Sequence, residues 1–173
     1  MLFRAVKTLL LVGPGAVAVY DNVGYPAIVE GTSMRPTLNP DLANAKDVVF
    51  INRFATRNYV VRRNDIVAFI SPKDPNYRII KRVVGTEGDV IRTRRYKDAY
   101  VDIPEGHFWA ESDNAKCLSL DSNVFGPVSS GLVIGRATHI VWPPSRWRRL
   151  DDNDPCRRMP VARKPMPNIL QSD

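Results

Sequence analysis

Apolar side chains are spaced along this chain in short bursts, not on long helical faces. Asp47 to Ile51, Asp65 to Ile70, Arg78 to Val84, Asp89 to Thr93, Ala99 to Ile103, His107 to Glu111 and Arg136 to Trp142 are each rich in β-branched or aromatic residues. Turn formers separate them: Glu87-Gly88, the Pro104-Glu105-Gly106 corner, and Pro143-Pro144 after the last burst. Runs of this kind, bounded by Gly, Pro, Asn and Asp, predict strands. A succession of such strands predicts a mostly β fold, a curled sheet or small barrel, and not βαβ units. No internal repeat is visible.

Two stretches break the pattern. Thr8 to Tyr20 carries no charge and follows Arg4 and Lys7. Alone it falls short of the ~20 residues a helix needs to span a bilayer. The uncharged run resumes after Asp21, so a single membrane anchor over about residues 5 to 24 fits, with Arg4 and Lys7 held on the cytosolic or matrix side. A cleaved signal peptide also fits, because basic residues, a short apolar core and Ala16-x-Ala18 are all present. A buried first element is the third reading, and Pro14 between Gly13 and Gly15 argues against a soluble helix there. The second break is the polar loop Ser112 to Asn123. An irregular stretch of this size is either functional or disordered, and the return to packed sequence at Phe125-Gly126-Pro127-Val128 favours function. The expected organisation is an anchor segment over 1–24, a β-rich domain over 25–147, and a Pro-rich, largely disordered tail over 148–173.

The length of 173 residues allows one domain with a modest core. A net charge of +7 raises nucleic acid or an anionic membrane as a partner. The basic residues are scattered, however, at Arg62-Arg63, Arg92 to Arg95, Arg146 to Arg149 and Arg157-Arg158, without aromatic interleaving. They read as solvated surface, and no nucleic-acid partner is expected. Cys117 and Cys156 form no CxxC pair, and the histidines are His107 and His139 alone. With no Walker loop and no GxGxxG either, neither a metal nor a cofactor is expected.

Candidate chemistry centres on Val29 to Pro40, a stiff loop in which Ser33 sits between Thr32 and Met34, ahead of Pro36 and Pro40. A serine hydroxyl attacks nothing unaided and needs a base. Strand periodicity from Arg78 to Val84 sets Lys81 between the β-branched Ile79 and Val83. Burial makes an amine easier to deprotonate, and half-neutrality at pH 7 requires a fall of ~3.4 units, about 4–5 kcal/mol. Arg82 cannot serve, since guanidinium keeps its proton. Two other readings of these residues stand: Ser33 as a turn residue with Lys81 snorkelling from an edge strand, or a Ser-His-Asp triad through His107 or His139. No GxSxG elbow and no SxxK pair is present.

Taken together, these pieces resemble the type I signal peptidase family, membrane-bound serine proteases with a Ser/Lys dyad. Glu30 to Leu38 is similar to the family's nucleophile box, Ile79 to Asp89 to its lysine box, and Asp113-Asn114 with Ser119 to Ser122 and Phe125 to Val128 to its last box. The order and spacing match from about residue 5 to 144. Ser71 to Pro75, Asp121 to Asn123 and Ala137 to Pro144 bring the chain nearest to the family's mitochondrial inner-membrane members. The resemblance implies Ser33 as nucleophile, Lys81 as general base, and Ser119 as a hydrogen-bond partner of the lysine amine. Gly31 stands where bacterial relatives often carry a serine that helps bind the oxyanion. The hole must then rely on the Ser33 N–H, another backbone donor, or an inward Thr32 hydroxyl. Asn123 replaces an arginine that relatives pair with the Asp121 position, so Asp121 is expected to cap the loop by hydrogen bonds. Also implied are presequence-bearing substrates bound for the intermembrane space, a sister subunit in a heterodimer, and a single-pass inner-membrane location. A non-catalytic, stabilising subunit is the alternative.

Overall fold

The computed structural model describes residues 22–40, 46–56, 60–150 and 159–163. Eleven strands appear among them: β1 Gly24–Ile28, β2 Val48–Asn52, β3 Ile66–Ile70, β4 Arg78–Thr86, β5 Asp89–Arg92, β6 Tyr100–Asp102, β7 His107–Glu111, β8 Val128–Ser129, β9 Val133–Trp142, β10 Arg148–Arg149 and β11 Ala162–Arg163. The main sheet runs β1-β2-β9-β3-β4-β7-β8 with β10 beside β9, and a smaller sheet runs β11-β5-β6. Every pairing is antiparallel. Register shifts interrupt β2/β9, β3/β9 and β4/β7. Such bulges bend and twist a sheet. The path nonetheless stays open among the described residues, ending at β1 and β8.

Three apolar clusters hold the sheets. Val29, Met34 and Leu38 pack with Val49, Ile51, Ile66, Ala137 and Ile140, which pins the serine loop onto β2, β3 and β9. Val67, Phe69, Val83, Phe108, Ala110 and Val128 form the second cluster, where the Phe69 ring meets Phe108 edge-on at 5.5 Å. Val84, Ile91, Ile103 and Trp109 form the third. Strand β4 touches all three, through Ile80, Val83 and Val84 respectively. It is an interior strand between β3 and β7, covered on both faces, so Lys81 to Gly85 are buried without alternation. A strand covered on both faces normally reads as a continuous apolar run. Here that covering draws Lys81 and Arg82 indoors with it, which removes the edge-strand, snorkelling reading of Lys81.

The seven strands expected from the sequence correspond to β2 to β7 and β9. Those it did not predict depend on pairing more than on composition. Arg148–Arg149 is all charge and becomes a strand by lying against Ile140 and His139. Ala162–Arg163 does so against Val90 and Asp89. The tail expected to be disordered over 148–173 is therefore ordered at these residues, because neighbouring strands offer them an unpaired edge. The expected anchor falls largely on residues outside those described, but Gly24 at its end already opens β1. Among the described residues no helix is long and apolar enough to cross a membrane.

Gly24 is the tightest point of the β1–β2 pairing: φ is +145°, and an added Cβ would lie 2.1 Å from the Ile51 carbonyl oxygen. Gly24→Ala is expected to destabilise the domain by more than ~1 kcal/mol, through strain and through forced separation of β1 from β2. Chemical denaturation, with hydrogen exchange at Tyr25 to Ile28, checks this.

Candidate active site

The serine loop is tied down from several directions. Its buried Asn39 donates to the carbonyls of Val29 (2.8 Å) and Gly31 (3.2 Å), and the backbone N–H groups of Asn39 and Asp47 each donate to the other's side-chain oxygen. Arg146 grips Asp47 at 2.7 and 2.9 Å, and Arg146 and Arg148 both donate to the Thr37 carbonyl, at 3.2 and 3.0 Å. On the other side, Asn114 donates from its backbone to the Ser33 carbonyl (3.0 Å) and from its amide to the Thr32 carbonyl (3.1 Å). The backbone on both sides of the Ser33 hydroxyl is therefore fixed.

Within that frame the Lys81 Nζ lies 2.7 Å from Ser33 Oγ and 3.0 Å from the Ile80 carbonyl oxygen. Lys81 is 4% exposed. Its burial pulls the amine pKa down to about 8, against the opposing pull of Asp121, Cys117 and Asp113. As an ammonium, Lys81 donates to Ser33. As a neutral amine it offers its lone pair, so the hydroxyl donates instead and can give up its proton along the same line. The Ser33 N–H has no acceptor among the described residues.

Asp113 would hold Lys81 charged if it were free to pair with it. Arg82 takes it instead: Nε and Nη2 reach the two carboxylate oxygens at 2.7 Å each, with the side chains only 4% and 2% exposed. The Thr37 hydroxyl adds a 2.6 Å bond to the same carboxylate. Adjacent residues on β4 thus divide two tasks. Arg82 neutralises the nearby acid, and Lys81 is left in a dry site.

The loop after β7 closes around Asp121. One carboxylate oxygen accepts from the Ser112 backbone (3.2 Å), the Ser112 hydroxyl (3.0 Å) and, more loosely, Ser119 (3.4 Å). The other accepts from the backbone N–H of Asn123 (3.0 Å) and so caps the single-turn helix Ser122–Phe125. Ser119 lines the cleft with Ser33 and Lys81, but its hydroxyl bonds Ser112 and Asp121. The Ser119–Lys81 bond implied by the family pattern is therefore not made. Asp121 draws the Ser112 and Ser119 hydroxyls to itself, and the Ile80 carbonyl takes the amine. The Thr32 hydroxyl faces the Cys117 sulfur at 3.8 Å. Cys117 is a free thiol, and Cys156 lies outside the described residues. Half-buried His107 bonds the Glu105 carbonyl and exposed His139 the Thr138 hydroxyl, and neither lines the cleft that holds Ser33, which removes the histidine triad.

A family model described as "Signal peptidase, peptidase S26" matches residues 2–102. This chain belongs to that signal peptidase family. Among curated proteins it is 55% identical to the mitochondrial inner membrane protease subunit 2 of Danio rerio, over 86% of this chain and 80% of that one. It is 48% identical to the Homo sapiens protein of the same name, covering 91% and 90%. It is 37% identical to the mitochondrial inner membrane protease subunit 1 of Homo sapiens, covering 83% and 84%. A crystal structure of a signal peptidase I from Enterococcus faecalis V583 is also similar, at 25% identity over 46% of this chain and 97% of that one, with a TM-score of 0.38.

The candidate site also rests on residues whose part in it no local pattern announces. Arg82, ruled out as a base because guanidinium keeps its proton, is the partner of Asp113, 31 positions away. Arg146 and Arg148, read as solvated surface, reach the serine loop across 109 and 111 positions. Two basic residues side by side within a β-branched run are the one local signal that could have pointed to Arg82.

Removing one member of the buried ion pair leaves a charge without a partner, which typically costs roughly 3–5 kcal/mol. Asp113→Ala is expected to lower the melting temperature steeply and to loosen the Asn114 clasp, as calorimetry and hydrogen exchange would show. Lys81→Met should do the reverse. The folded-state pKa of about 8 lies below the ordinary value of 10.5, so burying the ammonium opposes folding in full below pH 8. That penalty fades as pH rises from 8 to 10.5. Lys81→Met is therefore expected to gain about 3 kcal/mol at pH 6 and nothing above pH 10.5, in denaturation series run across that range.

Proposed function

We propose that Ser33 is the nucleophile and Lys81 the general base of a membrane-bound endopeptidase that removes sorting presequences. The observation that carries this reading is the 2.7 Å contact between a hydroxyl and an amine whose burial keeps it partly neutral near physiological pH. Neutral Lys81 takes the Ser33 proton as Oγ attacks the scissile carbonyl, and the ammonium then gives that proton to the leaving amine. The freed amine next deprotonates a water, which attacks the acyl-enzyme and releases Ser33. The unengaged Ser33 N–H supplies one oxyanion donor. With Gly31 carrying no side chain, the second comes from another backbone N–H or from Thr32, once its hydroxyl leaves Cys117.

The substrate enters as an extended strand. A cleft of about 640 Å³ holds Ser33 and Lys81 and is walled by Tyr25, Ala27, Val29, Ile80 and Ile134. Its β1 wall pairs with β2 on one side only, which leaves an edge for an added strand. The small and β-branched lining suits small apolar side chains next to the cut. By likeness to the inner membrane protease subunits named above, the chain works at the mitochondrial inner membrane. There it is anchored by its N-terminal segment, faces the intermembrane space, and pairs with a subunit 1.

Ser33→Ala and Lys81→Ala are each expected to abolish presequence cleavage while the far-ultraviolet spectrum stays native; normal processing by either variant would end the dyad assignment. Because the base works only when neutral, kcat/KM should rise roughly tenfold per pH unit below pH 8 and level off above it. A pH profile that is flat from 6 to 9 would contradict a lysine base.

A further inference from the structure

A second and larger cavity, about 870 Å³, contains neither Ser33 nor Lys81. It shares Leu118, Ser119 and Leu120 with the catalytic cleft, so this stretch forms a ridge between the two. Leu118 is 86% exposed and Leu120 is also exposed, an uncovered apolar crest beside the scissile position. Beyond it, the larger cavity is lined by Lys73, Arg94, Arg95 and Lys97, all of them exposed. Arg94 lies 3.6 Å from Glu111, and the Arg95 guanidinium donates to the Ala115 carbonyl. Lys97 sits over the Tyr96 ring at 5.8 Å. None of Lys73, Arg95 and Lys97 pairs with a carboxylate among the described residues. The acidic residue in the wall, Asp121, is buried and occupied by Ser112 and Asn123.

We propose that this groove receives the part of the substrate lying across the scissile bond from the strand-paired segment, and selects acidic residues in it. The inference rests on the peptidase reading above. A chain held along β1 and cut at Ser33 continues over the Leu118–Leu120 crest into the groove, where three unpaired cations of one sign reinforce one another. Concave clefts with a single sign of charge focus the field toward a mobile ligand. Exposed cations of this kind act on encounter and binding more than on the chemical step, so the selectivity belongs in KM.

The test uses the full-length chain in detergent-solubilised membranes, with Ser33→Ala as background. The peptides share one cleavage segment and carry Asp-Asp, Asn-Asn or Lys-Lys, walked residue by residue away from the cut. The wild-type chain is expected to favour the acidic peptides over the neutral ones by roughly tenfold in kcat/KM at the best position. That preference should reside in KM and fade as salt is raised. The combined Lys73→Glu, Arg95→Glu and Lys97→Glu variant should reverse the preference toward Lys-Lys, a gain that damaged folding cannot produce. Equal cleavage of acidic and neutral peptides overturns the proposal. So does a charge-reversed variant that keeps the wild-type peptide preference but loses binding to vesicles of anionic lipid, because the groove would then serve the membrane. Cleavage of none of the peptides overturns the peptidase reading and this one with it.

Discussion

The bidentate contact between Arg82 and Asp113 decides how the site behaves. A lysine amine in a dry pocket is a base only if no carboxylate sits beside it as a committed counter-ion, because a close negative charge restores the ammonium. Asp113 is near enough to pull on Lys81, and the guanidinium one residue along the strand holds both of its oxygens. Arginine suits that task, since it stays charged under all ordinary conditions and matches the carboxylate fork. The same pair carries the loop bearing Asn114, which in turn fixes the carbonyls around Ser33. One buried interaction thus bears on both the electrostatics of the Lys81 amine and the position of the Ser33 hydroxyl.

Strand β4 makes this arrangement compulsory. Apolar clusters pack against both of its faces, and Lys81 and Arg82 are buried along with their apolar neighbours. Stability is given up in the process, because a buried ammonium opposes folding, and the surrounding core of Phe69, Phe108, Trp109 and their neighbours offsets it. Function here is stored as a locally unfavourable charge inside an otherwise apolar sheet.

Much of this was legible in the chain itself. Strand bursts are a local property of side-chain type, and the segments richest in Val, Ile and Phe became β2 to β5. Ser33 and Lys81 could be singled out because each is chemically odd for its setting: a hydroxyl in a proline-stiffened loop, and an amine among β-branched neighbours. The pairing of Arg82 with Asp113 could not be read, nor could the reach of Arg146 and Arg148. Each joins residues far apart in sequence, and a surface arginine and a structural one look alike in composition. Ser119, singled out through a motif, bonds Ser112 and Asp121, two partners that the spacing of the loop did not name.

The Thr37 carbonyl receives Arg146 and Arg148, both supplied from beyond the last long strand. The loop that carries Ser33 is thus closed by residues far downstream of it, and truncation ahead of Arg146 would leave the Thr37 carbonyl without either guanidinium.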